Sequence, residues 1–283
     1  TSTSACSGSS MDLRHALEVT TCTDPGMVRS NNEDSIAADA ANGLVVLADG
    51  MGGYNAGEVA SGIAVAMLMT EMKQVLEKSN PYDVDGAGET LAEKLVRENS
   101  AKANGAIYQT ATSQPQYAGM GTTLVIALFY DNRMTVGHIG DSRLYRLRKD
   151  AFEQVTRDHS LLQEQIDSGM ISKEQARFSQ NKNLVTRAVG IDPEVETEIH
   201  TYAVEPGDIY LLCSDGLSDM VVDEEIHSTL STLQSNLQLA ATQLVQLAND
   251  SGGRDNISVI LVRIIKDFAV PTGWFARFKA WFR

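Results

Sequence analysis

The sequence predicts an α+β fold in which antiparallel sheets pack on one another and helices lie outside. Three observations carry this expectation. Nine short apolar runs, many rich in β-branched residues, are spread along the chain. Those in the middle follow one another across turns as short as "YDNR" and "GDSR", a spacing that implies hairpins and antiparallel pairing. Two long helical patterns are inserted together between the third and fourth runs, whereas a parallel Rossmann-like sheet needs a helix between each pair of strands.

In chain order, strands are expected at Leu17–Thr23, Ser35–Ala38, Leu44–Ala48, Thr122–Tyr130, Arg133–Ile139, Leu144–Arg148, Thr197–Ala203, Asp208–Cys213 and Ile257–Ile264. Helical periodicity covers about Gly57–Lys78 and Glu89–Thr112, separated by the turn-forming "SNPYDVDGAG". Shorter helices are expected near Asp223–Thr229 and Leu237–Asn249. The segment 158–189 is polar, with short helical periodicity and no strand. A lid or binding loop and a solvated surface insertion both fit it.

A chain of 283 residues can bury a full core, as one large domain or two small ones. Its formal net charge of -14 argues against nucleic acid as a partner, because phosphate binding needs a basic surface. Three scattered cysteines, Cys6, Cys22 and Cys213, suggest a reducing compartment rather than a disulfide framework. No apolar run is expected to span a membrane, which takes ~20 residues. The opening "TSTSACSGSS" lacks the basic and apolar regions of a signal peptide, and residues 1–16 read as a flexible leader or an expression remnant. A cytoplasmic location is expected.

Acidic residues gather at strand ends. "LVVLADGMGG" drives an apolar run into Asp49 and Gly50, and "YLLCSDG" does the same at Asp215 and Gly216. "VGHIGDS" places Asp141 after a strand, while Asp255 and Asn256 precede one in "GGRDNISVILV". "VRSNNEDS" adds Glu33 and Asp34, with Arg29 as the basic residue close by. Each aspartate alone reads well as a turn former. Six acids at strand ends are harder to read that way, because clustered carboxylates repel unless cations neutralise them. Hard oxygen ligands without nearby histidine or thiolate suit Mg²⁺ or Mn²⁺. The five histidines, His15, His138, His159, His200 and His227, show no zinc-ligand spacing. Gly50 would let the backbone turn sharply and aim a carbonyl at a cation. Neither a G-x-G-x-x-G fingerprint, a Walker A loop nor the arginine of a cysteine phosphatase loop after Cys213 is present.

Taken in order, "TDPGMVRSNNEDS", "LADGMGG", "GTT", "IGDSRLY", "CSDGLSD" and "RDNISVILV" resemble the motifs of the type-2C metal-dependent protein phosphatases, the PPM family, in their compact bacterial form. The match runs from about Leu17 to Ile265, with 17–266 as the catalytic domain. The resemblance implies a four-layer α/β/β/α sandwich and a two-metal site at one end of its paired sheets. It implies hydrolysis of phosphoserine and phosphothreonine in proteins, the substrates of a serine/threonine kinase, by a monomer. Asp49 would bridge two Mn²⁺ or Mg²⁺ ions; Asp215 and Asp255 would hold one, and the Gly50 carbonyl the other. Glu33 and Asp34 would act mostly through waters, Asn256 from the outer shell, and Arg29 would grip the phosphate. Asp141 with Asp215 would hold a third, weaker ion, and 158–189 would be the flap beside the site.

One departure stands out. Animal members carry a histidine after the Asp-Gly pair, proposed as general acid, and here that position is Met51. Water held at Asp141 is the candidate proton donor in its place. His138 reads as a packing residue and His159 as a satisfied flap histidine. A catalytically silent, metal-binding scaffold of the same fold is the alternative function, and a metal-dependent phosphodiesterase is a weaker rival that the acidic balance disfavours. The tail 267–283 lies outside the resemblance. On a helix its Trp274, Phe275, Phe278, Trp281 and Phe282 share one face beside Arg277, Lys279 and Arg283, which suits either packing on the domain or contact with an anionic membrane through 274–283.

Overall fold

Strands that are apolar on both faces must be covered on both sides, and a sandwich with helices outside does this for two sheets at once. The computed structural model describes residues 12–53, 55–176 and 184–271. Most of the leader, Cys6 and the aromatic tail therefore lie outside the described residues. β1 (Leu17–Asp24), β2 (Asp34–Asp39) and β3 (Leu44–Met51) precede α1 (Ala56–Leu76) and α2 (Leu91–Ser113). Then come β4 (Gly121–Thr122), β5 (Leu124–Tyr130), β6 (Arg133–Ile139), β7 (Arg143–Arg148) and β8 (Ala151–Gln154). The short helices α3 (Leu161–Asp167) and α4 (Lys173–Ala176) occupy the flap segment. β9 (Glu198–Ala203), β10 (Ile209–Cys213), α5 (Asp215–Ser218), α6 (Asp223–Leu233), α7 (Leu237–Asp250) and β11 (Ile257–Ile264) complete the order.

One sheet runs β1-β11-β10-β7-β8 and the other β2-β3-β5-β6-β9, with β4 paired to β3, and all pairings are antiparallel. Three apolar layers separate the four structural ones. Leu44, Val46 and Ala48 of β3 face α1 and α2 with Leu68 and Ile107. Their alternates Val45 and Leu47 face Tyr210, Leu212, Ile260 and Val262 across the sheets. Leu211 and Cys213 point the other way, onto Leu230 and Leu244 of α6 and α7. The α/β/β/α order is thus written in the period-two alternation of buried strands.

Four details differ from the sequence expectation. "GDSR" is not a hairpin: β6 belongs to one sheet and β7 to the other, so this turn steps between sheets. Gly140 at φ +104° permits the step. The hairpin partner of β7 is instead β8, an exposed edge strand with too little apolar pattern to read. β3 runs on to Met51 because Gly50 and Met51 pair with Thr122 and Gly121, which places Asp49 inside a strand rather than after it. α1 is long and apolar enough to cross a membrane by length and composition, against expectation. Its apolar side packs on β3 as the core of this fold.

Gly216, the second residue of α5, lies so close to the Asn256 backbone that a Cβ there would collide with its carbonyl oxygen. That approach fixes Asp215 against the Asp255–Asn256 end of β11. Gly216→Ala should therefore destabilise the chain by about 1–3 kcal/mol in urea titration. The same variant should lose most of the Mn²⁺-dependent rise in Tm, because Asp215 is pushed away from Asp255.

Candidate active site

The site begins with register. β2 and β3 pair so that Asp34 stands opposite Asp49. Two threonines of the β4–β5 junction hold Asp49 in place. Its amide donates to Thr123 Oγ1 at 3.0 Å, and its carbonyl accepts from the Thr123 amide at 2.8 Å and from Thr122 Oγ1 at 2.9 Å. Thr123 Oγ1 also meets Ser142 Oγ at 2.7 Å, tying β3 to the inter-sheet turn that carries Asp141. Gly50 donates its amide to the Glu33 carbonyl at 3.2 Å, and a side chain at 50 would run into the backbone of Gly57 at the start of α1. Only glycine allows that approach.

The other sheet supplies Asp215 and Asp255. Ser214, just before Asp215, donates from Oγ to Asp34 Oδ2 at 2.9 Å and so crosses between the sheets. Asn256 is a strut: its Oδ1 accepts from the Glu33 amide at 2.8 Å, and its Nδ2 donates to the carbonyls of Pro25 at 3.0 Å and Asn31 at 2.8 Å. The loop between β1 and β2 is thereby fixed, and with it Arg29. The Arg29 guanidinium lies at the rim, 53% exposed, with Nη2 2.7 Å from Asp255 Oδ2.

Burial and mutual repulsion set the electrostatics. Asp49 is pushed well above the ordinary carboxyl range, first by burial and then by Asp34, Asp215, Asp141 and Asp255. Asp215 is raised well above it too, by burial and by Asp141, Asp219, Asp255 and Asp34. Burial lifts Asp34 and Asp141 to about 6 each. Glu33 is raised less, chiefly by burial, with Arg29 opposing. These mutual effects show that Asp34, Asp49, Asp141, Asp215 and Asp255 share one region. Asp34 Oδ1 is buried without a hydrogen-bond partner. An orphaned carboxylate oxygen amid further carboxylates, with Cys213 turned away into the helix layer, is a donor set for hard divalent cations. The residues fit Mg²⁺ or Mn²⁺.

Asp219 joins the acids from a position close in sequence. It is one helical turn past Asp215 in "SDGLSD", its amide donates to the Asp215 carbonyl at 2.8 Å, and its charge raises both Asp215 and Asp141. Thr123 and Ser214 lie in the motifs "GTT" and "CSDGLSD", but their partners do not show in the sequence, since each bonds a residue distant along the chain. Met51 pairs with Gly121 and brings no titratable group.

Comparison with known proteins agrees with this geometry. The family model described as Protein phosphatase 2C matches residues 28–249. The serine/threonine phosphatase stp of Listeria innocua is 37% identical over 243 residues, covering 85% of this chain and 93% of its own. PstP of Mycobacterium tuberculosis is 40% identical over 253 residues, 89% of this chain and 45% of that longer protein. A crystal structure of M. tuberculosis PstP superposes with a TM-score of 0.78 at 39% identity, covering 88% of this chain and 99% of that one. The PstP catalytic domain solved with two manganese ions does so at 0.77 and 37%, covering 89% and 99%. With that much of its length matched, and with the acidic site between its sheets, the chain belongs to the protein phosphatase 2C family.

Proposed function

We propose that this chain hydrolyses phosphoserine and phosphothreonine esters in proteins, using divalent cations held by Asp49, Asp215, Asp255 and the Gly50 carbonyl. The observation that supports it best is the convergence of five buried or half-buried aspartates at one end of the sandwich, with an exposed arginine on the rim. Two cations held there would supply Lewis acidity, forming hydroxide from water near neutral pH and neutralising the phosphoryl oxygens. Glu33 and Asp34 would order the surrounding waters. Arg29 would leave Asp255 to fork onto the substrate phosphate, a match of planar donors to tetrahedral oxygens. Met51 has no proton to give, so the leaving serine or threonine oxygen would take its proton from water ordered at the Asp141 end, where Asp141 and Asp215 would also hold a third, weaker cation.

Phosphoproteins made by a serine/threonine kinase are the substrate class that this reading implies, for a monomer in the cytoplasm. The flap 158–189 would border the substrate. The tail from 274 would be the one route to a membrane surface.

Stability tests the carboxylate cluster directly. Each raised pKa means that the unfolded chain, with aspartate near ~3.9, ionises before the folded one. The contribution of these carboxyls to stability is then fully present below about pH 4 and lost as pH rises toward and through about 6. In EDTA, Tm should fall between about pH 5 and pH 7. Mn²⁺ at a hundred times its Kd should add about 2.7 kcal/mol, with a larger Tm rise at the higher pH. Asp49→Asn should flatten the pH dependence in EDTA and abolish the Mn²⁺ response. A wild-type response in that variant refutes the assignment.

Arg29→Ala should lower kcat/KM for a phosphopeptide roughly 10-fold or more, the loss of a charge-assisted hydrogen bond, while Mn²⁺ affinity by calorimetry is unchanged. Asp141→Ala should keep the tighter cations and lose most activity on a phosphothreonine peptide. An aryl phosphate should suffer less, because its phenolate leaves without a proton. Equal losses on both substrates would remove Asp141 from proton delivery.

A further inference from the structure

The inter-sheet turn Gly140–Arg143 presents Asp141, and the first residues of the flap grip it from outside. Asp158 accepts from Arg143 Nε at 3.0 Å and from Nη2 at 2.6 Å. His159 takes the other end. Its amide donates to the Gly140 carbonyl at 2.8 Å, and its Nδ1 accepts from the Gly140 amide at 3.1 Å. The His159 carbonyl accepts from the Thr186 amide at 2.8 Å, so the far end of the flap closes on the same residue. Gly140 sits at φ +104°, where backbone geometry alone does not hold a turn firmly.

Beside this grip lies a cluster with the look of a metal site: His138, His159 and Glu198, with ligand-type atoms all within 4.8 Å of one another. The sequence could not show it, since β6, the flap root and β9 each supply one member. Its hydrogen bonding argues for another role. Because His159 Nδ1 accepts from an amide, its proton resides on Nε2, which donates to Glu198 Oε2 at 3.1 Å. A metal would need the Nε2 lone pair, and the Arg187 guanidinium already stands 3.4 Å from that nitrogen. His138 donates from Nε2 to the Ser142 carbonyl at 3.0 Å and keeps its Nδ1 buried without a hydrogen-bond partner, which leaves one free imidazole nitrogen and one carboxylate, too few donors for a zinc site. Burial pushes both imidazoles below their ordinary pKa, His138 to about 4, so both are neutral at neutral pH.

We propose that His159 is a positioning residue whose tautomer is set by Glu198 and whose Nδ1 holds the Gly140 amide, fixing the turn that presents Asp141. The inference rests on Asp141 belonging to the reaction site as proposed above. Glu198 orients the ring, the ring fixes the amide, and the amide fixes the metal-facing carboxylate. The flap root and Asp141 thus move as one body.

Two substitutions separate the two ring nitrogens. His159→Asn places an acceptor oxygen near the Nδ1 position, and His159→Gln places its amide near Nε2 instead. His159→Gln should lower kcat on a phosphothreonine peptide roughly 10-fold with little change in KM, as loss of one buried hydrogen bond implies. His159→Asn should restore activity to within about 3-fold of wild type. Calorimetric Mn²⁺ titration of His159→Gln should show the weakest site lost and the tighter sites kept. In the Asp141→Ala background, His159→Gln should add no further loss, because the two act through one carboxylate. Equal losses in the Asn and Gln variants, or full additivity with Asp141→Ala, overturn the proposal.

A readout independent of activity and of Mn²⁺ is the ¹⁵N tautomer pattern of His159 in the wild-type protein with EDTA. The proposal requires the Nε2–H form, and an Nδ1–H form overturns it even if the variants fail to fold. Stoichiometric zinc retained by wild type and lost in Glu198→Ala also overturns it, in favour of a metal site. If Asp141→Ala leaves the peptide-to-aryl activity ratio unchanged, the role of Asp141 fails, while the tautomer spectrum still decides the role of His159.

Discussion

Carboxylates packed together out of water repel one another, and the rest of this structure is organised around holding them in place. Asp34, Asp49 and Asp215 are driven up in pKa by burial and by their neighbours, a standing electrostatic cost in the folded chain. A protein folding for stability alone would place serine or asparagine there. The cluster is tolerable because both sheets are buried on both faces, in three apolar layers that supply the opposing free energy. Divalent cations among these acids would replace repulsion with coordination.

Most of the partners that hold the acids are neutral, and the exception is Arg29, paired to Asp255 at the rim. Hydroxyls, amides and main-chain groups do this work. Thr122 and Thr123 fasten the Asp49 backbone, Ser214 reaches across to Asp34, and Asn256 bridges three loop positions with one side chain. The charged pair Arg143–Asp158, by contrast, sits outside the cluster, where it anchors the flap root to the turn. Arg29 stands at the rim, half exposed, paired to Asp255.

The flap is therefore not an appendage joined by a loose hinge. Its first residues bond the turn that carries Asp141, and at its far end an isolated β-bridge pairs Val189 with Thr122 beside Asp49. The root of this segment and the geometry at the acids share the same few hydrogen bonds. That arrangement gives one physical route by which a displacement of this segment would reach Asp141.

Local chemistry made much of this legible from the sequence. Apolar, β-branched runs marked the strands, helical periodicity marked α1 and α2, and the repeated apolar-run-Asp-Gly pattern singled out Asp49 and Asp215 before any fold was known. Asp219 was readable as well, one helical turn past Asp215. Each of these signals is carried by residues near one another along the chain. Tertiary structure alone decided that "GDSR" steps between sheets and that Asp34 stands opposite Asp49. It alone set Thr123 and Ser214 as struts and brought His159 to Gly140 with Glu198 behind it. Those relations join residues well beyond one helical turn or hairpin loop of each other, up to 180 positions apart for Ser214 and Asp34, and strand order and register, which no local pattern encodes, bring them together.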